Sequence, residues 1–188
     1  MKKQIRYGVF ETNSSSTHSI SIGNFEDKLL NFIQKPDYEY NEDTGEFEDT
    51  TVYDGNIHVT FGEFGWQEDT YNDVYTKLIY ALTMVIETEG GHYNRGKIKS
   101  IEDYYESEGF KAIEKLVRKH CHCGIVIEDS NIVFHETESG GYISHNGYID
   151  HQSCEEYKSL KDFVDHYKIS LEDFIFNTDI TLVTDNDN

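Results

Sequence analysis

Apolar residues recur at helical spacing over residues 70–89, where they form one stripe of a 3.6-residue period. The stripe consists of Val74, Leu78, Ile79, Leu82, Val85 and Ile86. Gly90 and Gly91 follow it, as is typical where a helix ends. A second helical pattern, over roughly 100–120, is interrupted at Gly109. Two shorter helices are predicted over about 159–167 and 170–176.

Runs rich in β-branched and aromatic residues predict strands on both sides of these helices. The predicted strands cover residues 3–10, 18–22, 57–61, 124–128, 131–136, 141–144 and 180–183. Asn24 and Pro36 bound a further predicted helix over about 25–34. Residues 37–56 are predicted to form a protruding acidic hairpin that turns at Asp43-Thr44-Gly45, and residues 184–188 a tail.

This element order indicates a single α+β domain over residues 1–188, with a largely antiparallel sheet and a central helical region packed on it. The chain carries 36 acidic and 16 basic residues, a formal charge of −20. A field of that sign repels phosphate, so direct binding to nucleic acid or to an anionic membrane is not expected. The opening residues lack the apolar run of a signal peptide, which predicts a cytoplasmic location.

The acidic charge is concentrated between Lys35 and Lys77, a stretch with twelve acids and neither lysine nor arginine. Aromatic residues are threaded through it. One interpretation is a solvated hairpin whose aromatic side chains pack inward. The other is a recognition face, on which carboxylates imitate phosphates and aromatic rings supply rigid contact area. The partner-binding candidates are Tyr40, Glu42, Asp43, Glu46, Phe47, Glu48, Asp49, Tyr53 and Trp66.

Two polar loops are candidates for a small-molecule site. The first, over residues 13–18, could bind an anion or offer a serine activated by His18. The second, over residues 145–153, sets Asp150 beside His151. The catalytic candidates are Ser14, Ser15, Ser16, His18, Asp150 and His151, and the ligand-binding candidates are Asn13, Ser15, His18, His145, His151 and Gln152. The alternative for each loop is an ordinary turn with surface histidines.

Three cysteines, an odd number, do not form a disulfide framework and predict reduced thiols. Strand alternation would place Cys121 and Cys123 on one face. They are weak candidates for a metal site, because tetrahedral zinc needs a matching second pair of ligands. The alternative is a buried cysteine pair at a helix-to-strand junction. No metal and no cofactor is expected.

The opening VFETNSSSTHSISI, residues 9–22, resembles the start of a group of small, largely uncharacterised proteins from phages and bacterial mobile elements. The segments GYIDHQS, residues 147–153, and TDNDN, residues 184–188, are similar to that group as well. The resemblance implies a mobile-element setting, in which small acidic proteins often inhibit nucleic-acid enzymes or defence systems of the host, including CRISPR effectors. It implies no catalytic residues.

Two hypotheses of different classes follow. In the first, the protein is not an enzyme; its acidic stretch binds a basic surface of a nucleic-acid-handling host protein or ribonucleoprotein and inhibits or modulates it. In the second, the loops at 13–18 and 145–153 together bind or hydrolyse a nucleotide-like molecule. The sequence leaves the oligomeric state open.

Overall fold

Helix α1, Val74–Gly90, lies at the centre of the fold and is buried on nearly every side. Every residue from Lys77 to Ile86 is buried, so the helix contacts protein all around rather than along one stripe. The computed structural model describes residues 16–22, 38–49, 56–65, 69–90, 98–128, 132–137, 140–150 and 157–186, and the account below concerns these residues. They form a single α+β domain, as the sequence predicts.

The other described helices come after α1 in the chain. They are α2 (Ile101–Glu106), α3 (Glu108–Cys121), α4 (Leu160–His166) and α5 (Leu171–Phe176). The strands that precede α1 are β1 (Ser16–Ile22), β2 (Tyr38–Asn41), β3 (Glu46–Asp49), β4 (Asn56–Val59), β5 (Glu63–Phe64) and β6 (Asp69–Tyr71). Those that follow it are β7 (Gly124–Ile127), β8 (Val133–Thr137), β9 (Gly140–Ser144), β10 (Tyr148–Ile149) and β11 (Ile180–Asn186).

The described strands pair in five small sheets instead of one largely antiparallel sheet. Three are antiparallel, in the orders β1-β11-β6, β2-β3 and β8-β9. Two are parallel, β4 with β7 and β5 with β10. Parallel pairing needs a long crossover, and helices α1 to α3 provide it between β4 and β7. Strand β7 therefore pairs with a strand far from it in the chain, whereas β8 and β9 form a local hairpin.

Several boundaries differ from the prediction for local reasons. Helix α1 begins at Val74, not near residue 70, because residues 69–71 form β6 and Asp73 Oδ1 accepts the Thr76 N–H at 2.8 Å. Strand β11 continues to Asn186, which pairs with Ser16, so most of the predicted tail is strand. The predicted strand over 3–10 and the predicted helix over 25–34 lie outside the described residues.

The predicted break at Gly109 is misplaced. The break falls at Ser107, which follows α2 and whose Oγ accepts the Phe110 N–H at 3.2 Å to cap α3. Gly109 lies inside α3, where a Cβ would come within 2.5 Å of Val85 Cγ2. The glycine therefore allows α3 to approach α1 closely.

The core is rich in aromatic residues where α1 meets α4 and α5. The Tyr80 ring centroid lies 5.6 Å from that of Phe163 and 6.1 Å from that of Phe174. On another side of α1, the Tyr104 hydroxyl donates to the Leu82 carbonyl at 2.8 Å. Ile57, Val59 and Phe61 are all buried, as the predicted alternation requires. No helix in the described ranges is long and apolar enough to cross a bilayer.

Lys77 is fully buried in α1, where sequence pattern alone would place a solvated charge. Its Nζ donates to the backbone carbonyls of Asn177, at 2.7 Å, and Ile180, at 2.9 Å. These carbonyls lie between α5 and β11, so the amine ties that junction to the central helix. Burial lowers the pKa of Lys77 to about 8, and the charge of Asp73 partly opposes this effect.

We predict that Lys77→Met lowers the free energy of unfolding by about 1 to 3 kcal/mol, because two buried carbonyls lose their donor. The depressed pKa implies that the contribution of Lys77 to stability increases from about pH 8 to pH 10.5. The difference between the two proteins should therefore widen over that range. Urea denaturation at several pH values in that range measures the difference in the free energy of unfolding. Lys115→Met, at an exposed site on α3, is the control. Equal losses in both variants would contradict the assigned role.

Candidate functional site

Strands β2 and β3 form a hairpin whose turn is built by its own residues. Asn41 Oδ1 accepts the backbone N–H groups of Asp43, at 2.9 Å, and Thr44, at 3.2 Å. Gly45 has a φ of 71° and donates its N–H to the Asn41 carbonyl at 2.8 Å. Only glycine adopts this left-handed conformation at little cost. The turn includes the three residues that the sequence predicted.

The hairpin presents two different faces because strand residues alternate in direction. Tyr40 pairs with Phe47 across the strands, and the neighbouring pairs are Asn41 with Glu46 and Glu39 with Glu48. Alternation assigns positions 38, 40, 47 and 49, which include the Tyr40–Phe47 pair, to one face and positions 39, 41, 46 and 48 to the other. We refer to these as the aromatic face and the acidic face.

The aromatic face is open to solvent. Tyr40 is 55% exposed and Phe47 is 71% exposed, the largest value among the exposed large hydrophobic residues of the described chain. Their ring centroids lie 5.3 Å apart in an edge-to-face arrangement. Such a pair stabilises the hairpin slightly. It buries little apolar area, and the interpretation in which these two aromatic residues pack inward is wrong.

Four hairpin carboxylates have side chains that the structure describes, and these are exposed and have no cation partner. Glu39, Glu42, Asp43 and Glu46 are all exposed, and none takes part in an ion pair. Several acids on the helices differ in this respect. Glu114 pairs with Arg118 at 2.8 Å, Glu106 with Lys111 at 2.5 Å, and Glu172 with both Lys119 and His120 at 2.8 Å. The hairpin therefore carries uncompensated charge.

The other partner-binding candidates are only partly described. Glu48 and Asp49 are in β3, opposite Glu39 and Tyr38 in register. Tyr53 and Trp66 lie outside the described residues. The structure thus brings together five of the nine candidates, Tyr40, Glu42, Asp43, Glu46 and Phe47, with described side chains on one hairpin.

The first small-molecule loop falls mainly outside the described residues. Asn13, Ser14 and Ser15 are among those not described, whereas Ser16 and His18 are in β1, which pairs with β11. His145 and Asp150 flank β10, which pairs with β5. The two stretches therefore belong to different sheets, and a joint site stays a prediction. His151 and Gln152 are not described.

His145 has a partly buried acidic neighbour that the sequence did not reveal. Glu87 on α1 places its Oε1 3.6 Å from His145 Nε2, and the same oxygen accepts the Ile149 N–H at 3.4 Å. Asp150, which follows Ile149 in the chain, is fully buried, and its backbone N–H donates to the Phe64 carbonyl at 3.0 Å. Burial raises the pKa of Glu87 to about 7, although the Ile149 hydrogen bond opposes the shift. Glu87 lies inside a helical pattern of the sequence, which gave no indication that it contacts His145.

We predict that Glu87→Gln becomes more stable than the natural protein as pH rises. The pKa of Glu87 is raised on folding, so its contribution to stability is complete below about pH 4.5 and is lost by about pH 7. Glutamine resembles the protonated acid and avoids this loss, which amounts to at most about 3 kcal/mol. Denaturation midpoints between pH 4.5 and pH 8 measure the difference. Parallel profiles for the two proteins would contradict a buried, titrating Glu87.

The cysteine pair lies at a helix-to-strand junction, as one interpretation expected. Cys121 ends α3, His122 has a left-handed φ of 59°, and Cys123 precedes β7, so strand alternation does not apply. Both thiols are half-buried. Burial raises the pKa of Cys121 to about 11, and the pKa of Cys123 is raised for the same reason. Within the described ranges, no three metal-binding side chains are grouped.

A cavity of about 580 Å³ lies between the end of α1, helices α2 and α3, and the start of α4. Its charged lining is mostly acidic and consists of Glu89, Asp103, Glu106, Glu108 and Lys158. This charge disfavours a phosphate-bearing ligand. None of the described residues that line it belongs to the loops at 13–18 or 145–153, so the nucleotide hypothesis stays a prediction.

Comparisons with protein-family models, with curated proteins and with solved structures found no significant match.

Proposed function

We propose that this protein is a non-enzymatic inhibitor or modulator that uses the β2–β3 hairpin to bind a basic surface of a nucleic-acid-handling host protein. The observation that carries the proposal is the exposed Tyr40–Phe47 pair, set among carboxylates that, where the structure describes their side chains, have no cation partner. Aromatic residues are enriched at the energetic centres of protein interfaces. A surface that leaves them in solvent is suited to contact with another molecule.

Charge determines the class of partner. The hairpin lies in the stretch between Lys35 and Lys77, which has no lysine or arginine, in a chain of formal charge −20. A cationic groove that normally holds phosphate would attract such a surface and accelerate encounter. Occupation of that groove excludes nucleic acid by competition. The resemblance of residues 9–22 to mobile-element proteins supports a host target of the anti-defence or anti-CRISPR type, in the bacterial cytoplasm.

A competition experiment tests the proposal. Fluorescence anisotropy follows labelled DNA bound to each of three purified bacterial probes: a guide-loaded CRISPR effector nuclease, a single-stranded-DNA-binding protein and a duplex-binding architectural protein. We predict that the natural protein displaces DNA from at least one probe and does so less well as salt rises. The triple reversal Glu39→Lys, Glu42→Lys and Glu46→Lys should weaken displacement at least about tenfold.

The matched control reverses three exposed acids outside the hairpin, Glu63, Glu108 and Glu136, and so changes net charge equally. It should retain most of the displacement, and circular-dichroism melts should show both variants folded. The proposal is wrong if none of the probes releases DNA. It is also wrong if the two triple variants lose activity to the same extent, because net charge alone would then explain the effect.

A further inference from the structure

We infer that the β2–β3 hairpin imitates an extended single strand of nucleic acid, and that its partner surface is a single-strand channel of the kind found in OB-fold proteins. This inference rests on the proposed function and specifies its partner. The acidic face would take the place of the phosphates, and the aromatic face would take the place of the bases.

Binding groups occur on opposite faces of one ribbon. Glu39 and Glu46 are exposed on the acidic face, and Tyr40 and Phe47 are exposed on the aromatic face. A flat basic surface could contact only one of them. A single strand has the same division, with charge along one side and unstacked rings along the other. A channel that binds single strands contacts both sides.

The charges on the acidic face form a short row. Glu46 and Glu48 recur on β3, about 6.6 to 6.8 Å apart, and Glu39 lies opposite Glu48. A row of this kind can take the place of a few phosphates, in a single strand or in a duplex.

The pair of exposed rings favours a single strand over a duplex. A duplex conceals the faces of its bases, so a groove that binds duplex backbone offers nothing for Tyr40 and Phe47 to replace. Single-strand channels instead carry aromatic and arginine side chains on which successive bases stack. Two rings whose centroids lie 5.3 Å apart could occupy neighbouring stacking positions. The four-residue strands, about 13 Å long, limit the imitation to a few nucleotides.

The test compares two of the probes directly. Labelled oligothymidylate is bound to the single-stranded-DNA-binding protein, and a labelled short duplex is bound to the architectural protein. We expect the natural protein to displace oligothymidylate at a concentration at least about tenfold lower than it needs for the duplex.

Two double variants then separate the faces. Tyr40→Thr with Phe47→Thr removes the rings and keeps residues that favour strands. Glu39→Lys with Glu46→Lys reverses the acidic face. Each should weaken displacement of oligothymidylate at least about tenfold. Val133→Thr, at a 48% exposed apolar site in β8, is the control and should have no effect. Amide chemical shifts of residues 41–46 establish that the hairpin is intact in each variant.

The outcomes distinguish the inference from the function on which it rests. Displacement of the duplex alone, or displacement of oligothymidylate that does not require Tyr40 and Phe47, overturns the imitation of a single strand and leaves docking on a basic surface standing. Failure to displace either DNA, from these probes and from the CRISPR effector, overturns both.

Discussion

The burial of helix α1 on nearly all sides is the constraint on which the rest of the structure depends. Its residues from Lys77 to Ile86 are enclosed by α3, α4, α5 and the short strand β10. The charged residue among them, Lys77, donates hydrogen bonds to two backbone carbonyls. The aromatic residues around Tyr80 fill the same core. The β2–β3 hairpin pairs with no other described strand and leaves Tyr40 and Phe47 in solvent. A two-stranded ribbon of this size is marginal by itself, which favours a role in contact with another molecule.

Charged residues, like apolar ones, differ between the helices and the hairpin. Several acids on the helices are joined to nearby cations, as Glu172 is to Lys119 and His120, and surface pairs of this kind cancel much of the local field. The hairpin carboxylates whose side chains the structure describes have no such partners. Unpaired negative charge therefore occurs beside exposed, rigid aromatic side chains. This coincidence, and not net charge alone, distinguishes the hairpin from the rest of an acidic surface.

Local patterns predicted the parts of the fold that local interactions determine. The period of apolar residues gave α1, and the Asp43-Thr44-Gly45 sequence gave the hairpin turn. The serine cap at Ser107 is also a local signal, but the break was predicted at Gly109 instead. Contacts between distant residues were missed. The parallel pairing of β4 with β7, the close approach at Gly109 and the buried partners of Lys77 and Glu87 depend on residues far apart in sequence. The hairpin candidates were predictable because their chemistry is local.

Hydroxyl-radical footprinting of the free protein, read residue by residue by mass spectrometry, tests the central claim most directly. The account predicts that Tyr40 and Phe47 oxidise at rates close to those of the unfolded chain, whereas Tyr80 and Tyr104, which are fully buried, are strongly protected. Protection of Tyr40 and Phe47 comparable to that of Tyr80 would mean that the hairpin is covered by the protein itself. That result would contradict an outward docking surface.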